Sequence, residues 1–334
     1  MKIAHGGNIF EICRERQWDW RDVLDLSASV NPLGPPPGVS DAIRQALDRL
    51  AHYPERCAPE LTKRLAAHWQ VSPDQIICGN GATELIHFVA RTWRQDEVTL
   101  AAPTFSEYHR AYPEARMSSW NAFAGSGLVV LTQPNNPTGE AVPFEGLRDW
   151  LLSSDRPVLI DESFIEFAGL PSTVVLTPRR PNLLVLRSLT KFYALPGLRV
   201  GALVGHPDLI RALGCRREPW QVSTLAEAGA LAALDDSEYA ERSVQLIARE
   251  RIWLWKQLWK IPGIKPVHSS ANFFLVHLDC TADEICGWFL ERKVILRNCS
   301  GWPGLPGEAV RFAIRTRAEN ERIIALFKEY FCGR

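Results

Sequence analysis

Lys191 closes the tetrapeptide Ser188-Leu189-Thr190-Lys191, which follows an apolar run (Asn182 to Arg187) that reads as a buried strand. A lysine just past a strand end, beside two hydroxyls and ahead of Arg199, can hold an aldehyde as a Schiff base. An isolated Ser-x-x-Lys is ordinarily only a solvated lysine, so the other polar positions carry the weight. Asp161 ends the run Pro157 to Asp161. A carboxylate there can pair with a pyridinium nitrogen and make the ring an electron sink, or it can cap a helix. Asn136, in a turn between Pro134 and Pro137, can donate to a phenolate oxygen or simply shape the turn. Phe105 can stack on a flat ring or fill a core. Gly81-Ala82-Thr83 opens a helix whose free N–H groups form a seat for phosphate, although many such turns only start helices. Ser188 and Arg199 could complete a phosphate cup. Singly each plain reading is favoured, but together they are what pyridoxal phosphate requires.

These residues must be brought together by the elements that carry them. Apolar runs at 75–78, 97–101, 128–132, 157–161, 183–186 and 200–204 alternate with amphipathic stretches such as 39–50, 60–69 and 144–152. That alternation predicts an α/β fold with a mostly parallel, buried central sheet. Ligands of such sheets sit at the carboxyl ends of the strands, where each of these polar motifs falls. The segment 192–201 reads as a loop. After about Trp220 the texture changes to long helices at 223–234 and 237–260. Strands at 272–277, 294–297 and 310–314 and helices at 282–292 and from Ala318 follow. The expected division is an N-terminal arm (1–35) packing with the small domain, a large cofactor-binding domain (36–222) and a smaller α+β domain (223–334). Arg297 and Arg311 lie at or near strands of the latter and can bind an anion, or can be surface ion pairs.

The 334 residues, 46% hydrophobic and 23% charged with zero formal net charge, describe a globular protein without the excess basic charge of a nucleic-acid binder. Eight scattered cysteines without C-x-x-C pairs predict neither a disulfide frame nor a metal site. No apolar run reaches membrane-spanning length. With no secretory signal visible, a cytoplasmic location is expected.

The ordered set G-N-G-A-T-E (79–84), P-N-N-P-T-G (134–139), D-E-S-F (161–164), S-L-T-K (188–191) and G-L-R-V-G (197–201) resembles the fold-type I, aspartate-aminotransferase-like superfamily of pyridoxal-phosphate enzymes. The resemblance covers nearly the whole chain. H-G-G-N (5–8), the stretch Arg187 to Arg199 and R-N-C-S-G-W-P-G-L (297–305) ahead of R-F-A-I-R (311–315) are similar to the threonine-phosphate decarboxylase branch of cobalamin biosynthesis. Histidinol-phosphate aminotransferases are its near relatives.

The resemblance implies Lys191 as the Schiff-base lysine, Asp161 on the ring nitrogen and Asn136 on the 3′ oxygen. It implies Phe105 on the ring face and Gly81, Ala82, Thr83, Ser188 and Arg199 on the phosphate. Tyr53 would reach the cofactor phosphate of a neighbouring subunit, which implies a homodimer with the active site at the subunit interface. His5, Gly6, Asn31, Asn136, Arg297 and Arg311 would bind a phosphorylated amino acid, with Arg311 on the α-carboxylate. Phe164 stands where the aminotransferases usually carry a tyrosine, a departure that suits the decarboxylases. The segment 117–127 looks short, so a trimmed sheet edge is expected. The implied reaction is decarboxylation of threonine phosphate. Alternatives are serine-phosphate decarboxylation, histidinol-phosphate-type transamination and, against the intact Lys191, Asp161 and Arg199, a non-catalytic relative.

Overall fold

Five-residue and six-residue runs such as Leu128–Thr132 and Leu183–Ser188 are buried at every position. A strand can be apolar on both faces only when both faces of its sheet are covered, and the fold meets that demand. A computed structural model of the chain describes residues 6–120, 122–123 and 125–333. A two-residue strand, β1 (Leu24–Asp25), precedes the central sheet. That sheet comprises β2 (Ile76–Gly79), β3 (Val98–Ala101), β4 (Arg116–Ser118), β5 (Leu128–Thr132), β6 (Val158–Asp161), β7 (Leu183–Ser188) and β8 (Gly201–Gly205). Its spatial order is β2-β8-β7-β6-β5-β3-β4. Only β8 runs antiparallel to its neighbours.

Alternation along each strand sends side chains to two cores. Leu128 and Val130 join Leu159, Leu184 and Leu203 on one face, against the Gly81–Thr92 helix. Val129 and Leu131 join Val158, Ile160 and Val185 on the other. The edge strand β4 is only three residues long.

The second sheet is antiparallel. It contains β9 (Ile264–Pro266), β10 (Phe273–Leu278), β12 (Arg297–Asn298) and β13 (Ala309–Ala313), while β11 (Val294–Ile295) lies outside it. The single strand expected over 294–297 is therefore two. Its first half pairs in parallel with β1 and its second half with β13. Leu26 then donates its N–H to Ile295 O and accepts from the Ala313 N–H, so the N-terminal segment is bound into the small sheet. Sequence reading also passed over the helices Ile9–Arg16 and Pro207–Gly214. Among the described residues no helix is long and apolar enough to cross a membrane, and no group of three or more His, Cys, Asp or Glu is placed to hold a metal.

Behind the carboxyl end of β7 lies a buried ion cluster. Arg187 reaches Glu162 at 3.4 Å and Glu166 at 2.6 Å, with its guanidinium 4.9 Å from the Trp69 ring centroid. Thr173 donates to the Glu162 carboxylate through both N–H and hydroxyl at 2.7 Å. The cluster locks β7 to β6 one residue away from Ser188 on one strand and from Asp161 on the other. Removing one partner of a buried cluster leaves unpaired charge in a dry site. Arg187→Met is expected to cost about 3–5 kcal/mol in urea unfolding. A loss below about 1 kcal/mol would show that these charges are not held in a dry site.

Candidate active site

The parallel register sets Thr132 beside Asp161 and Asp161 beside Leu186, so β5, β6 and β7 end at one level. A cavity of about 380 Å³ opens there, within the usual range for a ligand pocket. Asp161, Asn136, Phe105, Ala82, Thr83, Ser188, Lys191, Arg199, Gly6, Arg297 and Arg311 all line it. Residues more than 300 positions apart thus meet in one chamber.

Lys191 is not in a loop. It sits in a one-turn helix, Leu189–Phe192, raised on the end of β7. Burial, with Arg311 and Arg199 nearby, pulls its ammonium down to about 8. Asp161 is held from both sides, accepting from the Ser163 N–H at 2.9 Å and from the Tyr108 hydroxyl at 3.0 Å. Burial raises its pKa, and those hydrogen bonds and Lys191 oppose the rise.

Gly81 begins the helix Gly81–Thr92 with φ +80°, and a Cβ there would lie 2.5 Å from Arg199 Nη2. Glycine is what lets the guanidinium lie against the helix N-terminus. Ser188 Oγ and Thr190 Oγ1 are 2.8 Å apart. Two hydroxyls, helix N–H groups and one guanidinium form a donor set for a phosphate ester, and the buried carboxylate suits a cationic ring nitrogen. That combination fits pyridoxal phosphate.

Arg311, on β13, donates to Asn136 Oδ1 at 2.5 Å and to Ser27 O at 3.1 Å. Its Nε is buried with no partner, and burial pulls its guanidinium down to about 10. Arg297 lies directly across the ladder from Arg311 and over the Trp302 ring at 5.3 Å. Among the described residues neither arginine forms an ion pair with a carboxylate.

Asn31 is a correction. It is buried but does not line the chamber, because its Nδ2 donates to Phe192 O at 2.8 Å and to Ser243 Oγ at 2.7 Å, while its N–H donates to Lys191 O. Its place is behind the lysine turn, and Ser27, Ala28 and Ser29 line the chamber instead. Tyr53 is outside too, 81% exposed and stacked on Trp220 at 4.6 Å. His5 lies outside the described residues.

Sequence reading missed Tyr108 and Trp302. Tyr108, three residues after Phe105, points a hydroxyl at Asp161, and Trp302 donates its indole N–H to Thr104 O. Tyr108 lies in none of the motifs; Trp302 lies within the quoted run 297–305, with no role read for it there.

The chain is similar to known proteins over nearly its whole length. The threonine-phosphate decarboxylase of Salmonella typhimurium (strain LT2) is 32% identical over 355 residues, covering 99% of this chain and 97% of that protein. The histidinol-phosphate aminotransferase of Geobacillus sp. (strain WCH70) is also 32% identical, over 344 residues, covering 96% and 92%. The crystal structure of L-threonine-O-3-phosphate decarboxylase from Porphyromonas gingivalis superposes with a TM-score of 0.87 at 25% identity, covering 93% of this chain and all of that one. The chain also matches the family described as Aminotransferase class I and II over residues 21–118 and 114–327. With Lys191, Asp161, Arg199 and a glycine-opened helix end in one chamber, and with that match, the chain belongs to the aminotransferase class I and II family of pyridoxal-phosphate-dependent enzymes.

Proposed function

We propose that this enzyme decarboxylates L-threonine O-3-phosphate to (R)-1-amino-2-propanol O-2-phosphate and carbon dioxide, as a homodimer acting in cobalamin biosynthesis. The observation that carries the reading is Arg297 facing Arg311 across β12 and β13 inside the chamber. Like charges directly opposite one another destabilise a ladder. A substrate with two separate anionic groups offsets that repulsion, and a phosphorylated amino acid has them. Phe164 supports decarboxylation. It packs edge-on against Phe273 at 5.1 Å and presents no hydroxyl to the chamber, in the place where the resemblance expects an aminotransferase tyrosine. The exposed Tyr53–Trp220 stack supports a second copy as neighbour.

Bound pyridoxal phosphate supplies a carbonyl carbon to the substrate amine and a ring that accepts the electron pair of the breaking Cα bond. The chain's own residues do the rest. Gly81, Ala82, Thr83, Ser188 and Arg199 would hold the phosphate, Asn136 the 3′ oxygen, and Phe105 the ring face. Asp161, kept in place by Tyr108 and Ser163, would hold the proton on the ring nitrogen. Arg311 would grip the α-carboxylate and Arg297, with Gly6 and His5, the substrate phosphate. Carbon dioxide leaves with cleavage of the Cα–carboxylate bond, and Cα then takes a proton. Lys191, with its amine near 8, can carry that proton at neutral pH.

A histidinol-phosphate-type aminotransferase is the second reading, favoured by the equal identity of the Geobacillus relative. It uses the same cofactor contacts. Serine phosphate differs from threonine phosphate by one methyl group, which alters selectivity by only about 1–3 kcal/mol.

Incubation with L-threonine phosphate is expected to release carbon dioxide with no 2-oxo acid present, faster than L-serine phosphate. Turnover of histidinol phosphate that requires 2-oxoglutarate would establish the aminotransferase instead. Lys191 gives a separate test. Only a neutral amine attacks the cofactor aldehyde, so the rate of cofactor capture by apoprotein should rise with pH through about 8 and then level off. A midpoint near 10 would contradict the buried, arginine-flanked amine. Borohydride should fix the cofactor to the wild type and not to Lys191→Ala; fixation in the variant would place the aldehyde on another lysine.

A further inference from the structure

The phosphate seat has a charge problem that the arginine of the cup does not solve. Glu84 lies in the first turn of the Gly81–Thr92 helix, and its Oε2 accepts the Asn80 N–H at 3.2 Å. A carboxylate there favours the helix by facing its positive end. The same carboxylate repels a phosphate dianion seated at that end.

Arg217, with 6% of its side chain exposed, meets Glu84 with both prongs, Nη1 to Oε1 at 2.6 Å and Nη2 to Oε2 at 2.8 Å. Nη2 also donates to Cys78 O at 3.2 Å, and the guanidinium lies 4.6 Å from the Phe88 ring centroid. The pair presses on the turn that opens the helix. A Cβ added to Gly79 would stand 2.6 Å from Glu84 Oε2 and 2.7 Å from Arg217 Nη2. Two residues on, Gly81 is pressed in the same way by Arg199. A guanidinium therefore stands close against each glycine of the Gly79–Gly81 turn; Arg199 lines the chamber and Arg217 does not.

We propose that Arg217 is a positioning residue for the cofactor phosphate: it neutralises Glu84 in a two-pronged pair and fixes the Gly79–Gly81 turn, so that the helix end presents its N–H groups without an opposing charge. The proposal rests on the reading of this helix end and Arg199 as the phosphate cup. A carboxylate accepting from the N–H of the turn and an arginine forked onto it act as one unit. Losing the arginine alone leaves an uncompensated carboxylate in the first turn of the helix that seats the phosphate, whereas losing both charges does not.

The test is equilibrium binding of pyridoxal phosphate, and of pyridoxal lacking the phosphate, to apoprotein, read from the absorbance of the cofactor on Lys191. Arg217→Ala is expected to weaken pyridoxal phosphate by at least about tenfold, yet pyridoxal by less than about twofold. Glu84→Gln added to Arg217→Ala should recover most of the loss, because the amide still accepts from Asn80 but carries no charge. Equal weakening of both ligands, or no recovery in the double variant, overturns the proposal and leaves Arg217 as a packing residue. Glu84→Gln alone, which keeps Arg217 in place, should bind pyridoxal phosphate as well as or better than wild type; weaker binding also overturns it. If wild type holds pyridoxal as tightly as pyridoxal phosphate, the phosphate-cup reading itself fails, an outcome distinct from the others.

Discussion

One guanidinium holds the chamber together. Arg311 stands on the small antiparallel sheet and donates to Asn136 in the turn beyond β5 and to the Ser27 carbonyl in the N-terminal segment. Three parts of the chain that share no local sequence meet at that group. Taking it out of water is costly, and hydrogen bonds to two neutral oxygens return only part of its solvation. The buried, unpartnered Nε and the lowered pKa are the marks of that shortfall. The arginine ties the segments together, and the same shortfall is why the proposed reading gives it an anionic group of the substrate.

The same imbalance governs Lys191. Two arginines and burial drive its amine toward the neutral form, and Asp161 and Asp25 are too little to reverse this. A lysine that is to capture an aldehyde, as proposed for Lys191, needs that state, and the neighbouring arginines help to bring it about. Asp161 faces the opposite pressure. Burial would protonate it, and the Ser163 N–H, the Tyr108 hydroxyl and the nearby lysine counter that tendency. Decarboxylation and transamination share this machinery. They differ in which Cα bond is held for cleavage, and in the proposed reading that choice falls to Arg297, Arg311 and the hydroxyl-free Phe164 more than to the cofactor's neighbours.

Much of this was legible in the residues. The central strands announced themselves as uninterrupted apolar runs because both sheet faces are covered, and residues of the motifs at their ends line one chamber. The small sheet was read less well. The run 294–297 reads as one strand because its apolar stretch, Val294 to Leu296, is continuous. It is two because Leu24–Asp25 claims the first half and β13 the second. The resemblance implies Asn31 as a substrate residue; its side chain makes two hydrogen bonds behind the lysine turn and does not line the chamber.

By itself the sequence determined the sheet, Lys191 and Asp161 at its strand ends and the glycine-opened helix, because strand burial, helix N-terminal polarity and glycine's positive φ are local demands that show in local residue types. Only the tertiary structure decided that Arg297 faces Arg311, that Tyr108 steadies Asp161 and that Arg217 forks onto Glu84. Each of these joins residues from separate elements, and which side chains meet across a gap depends on strand order and register, set by the packing of the whole chain.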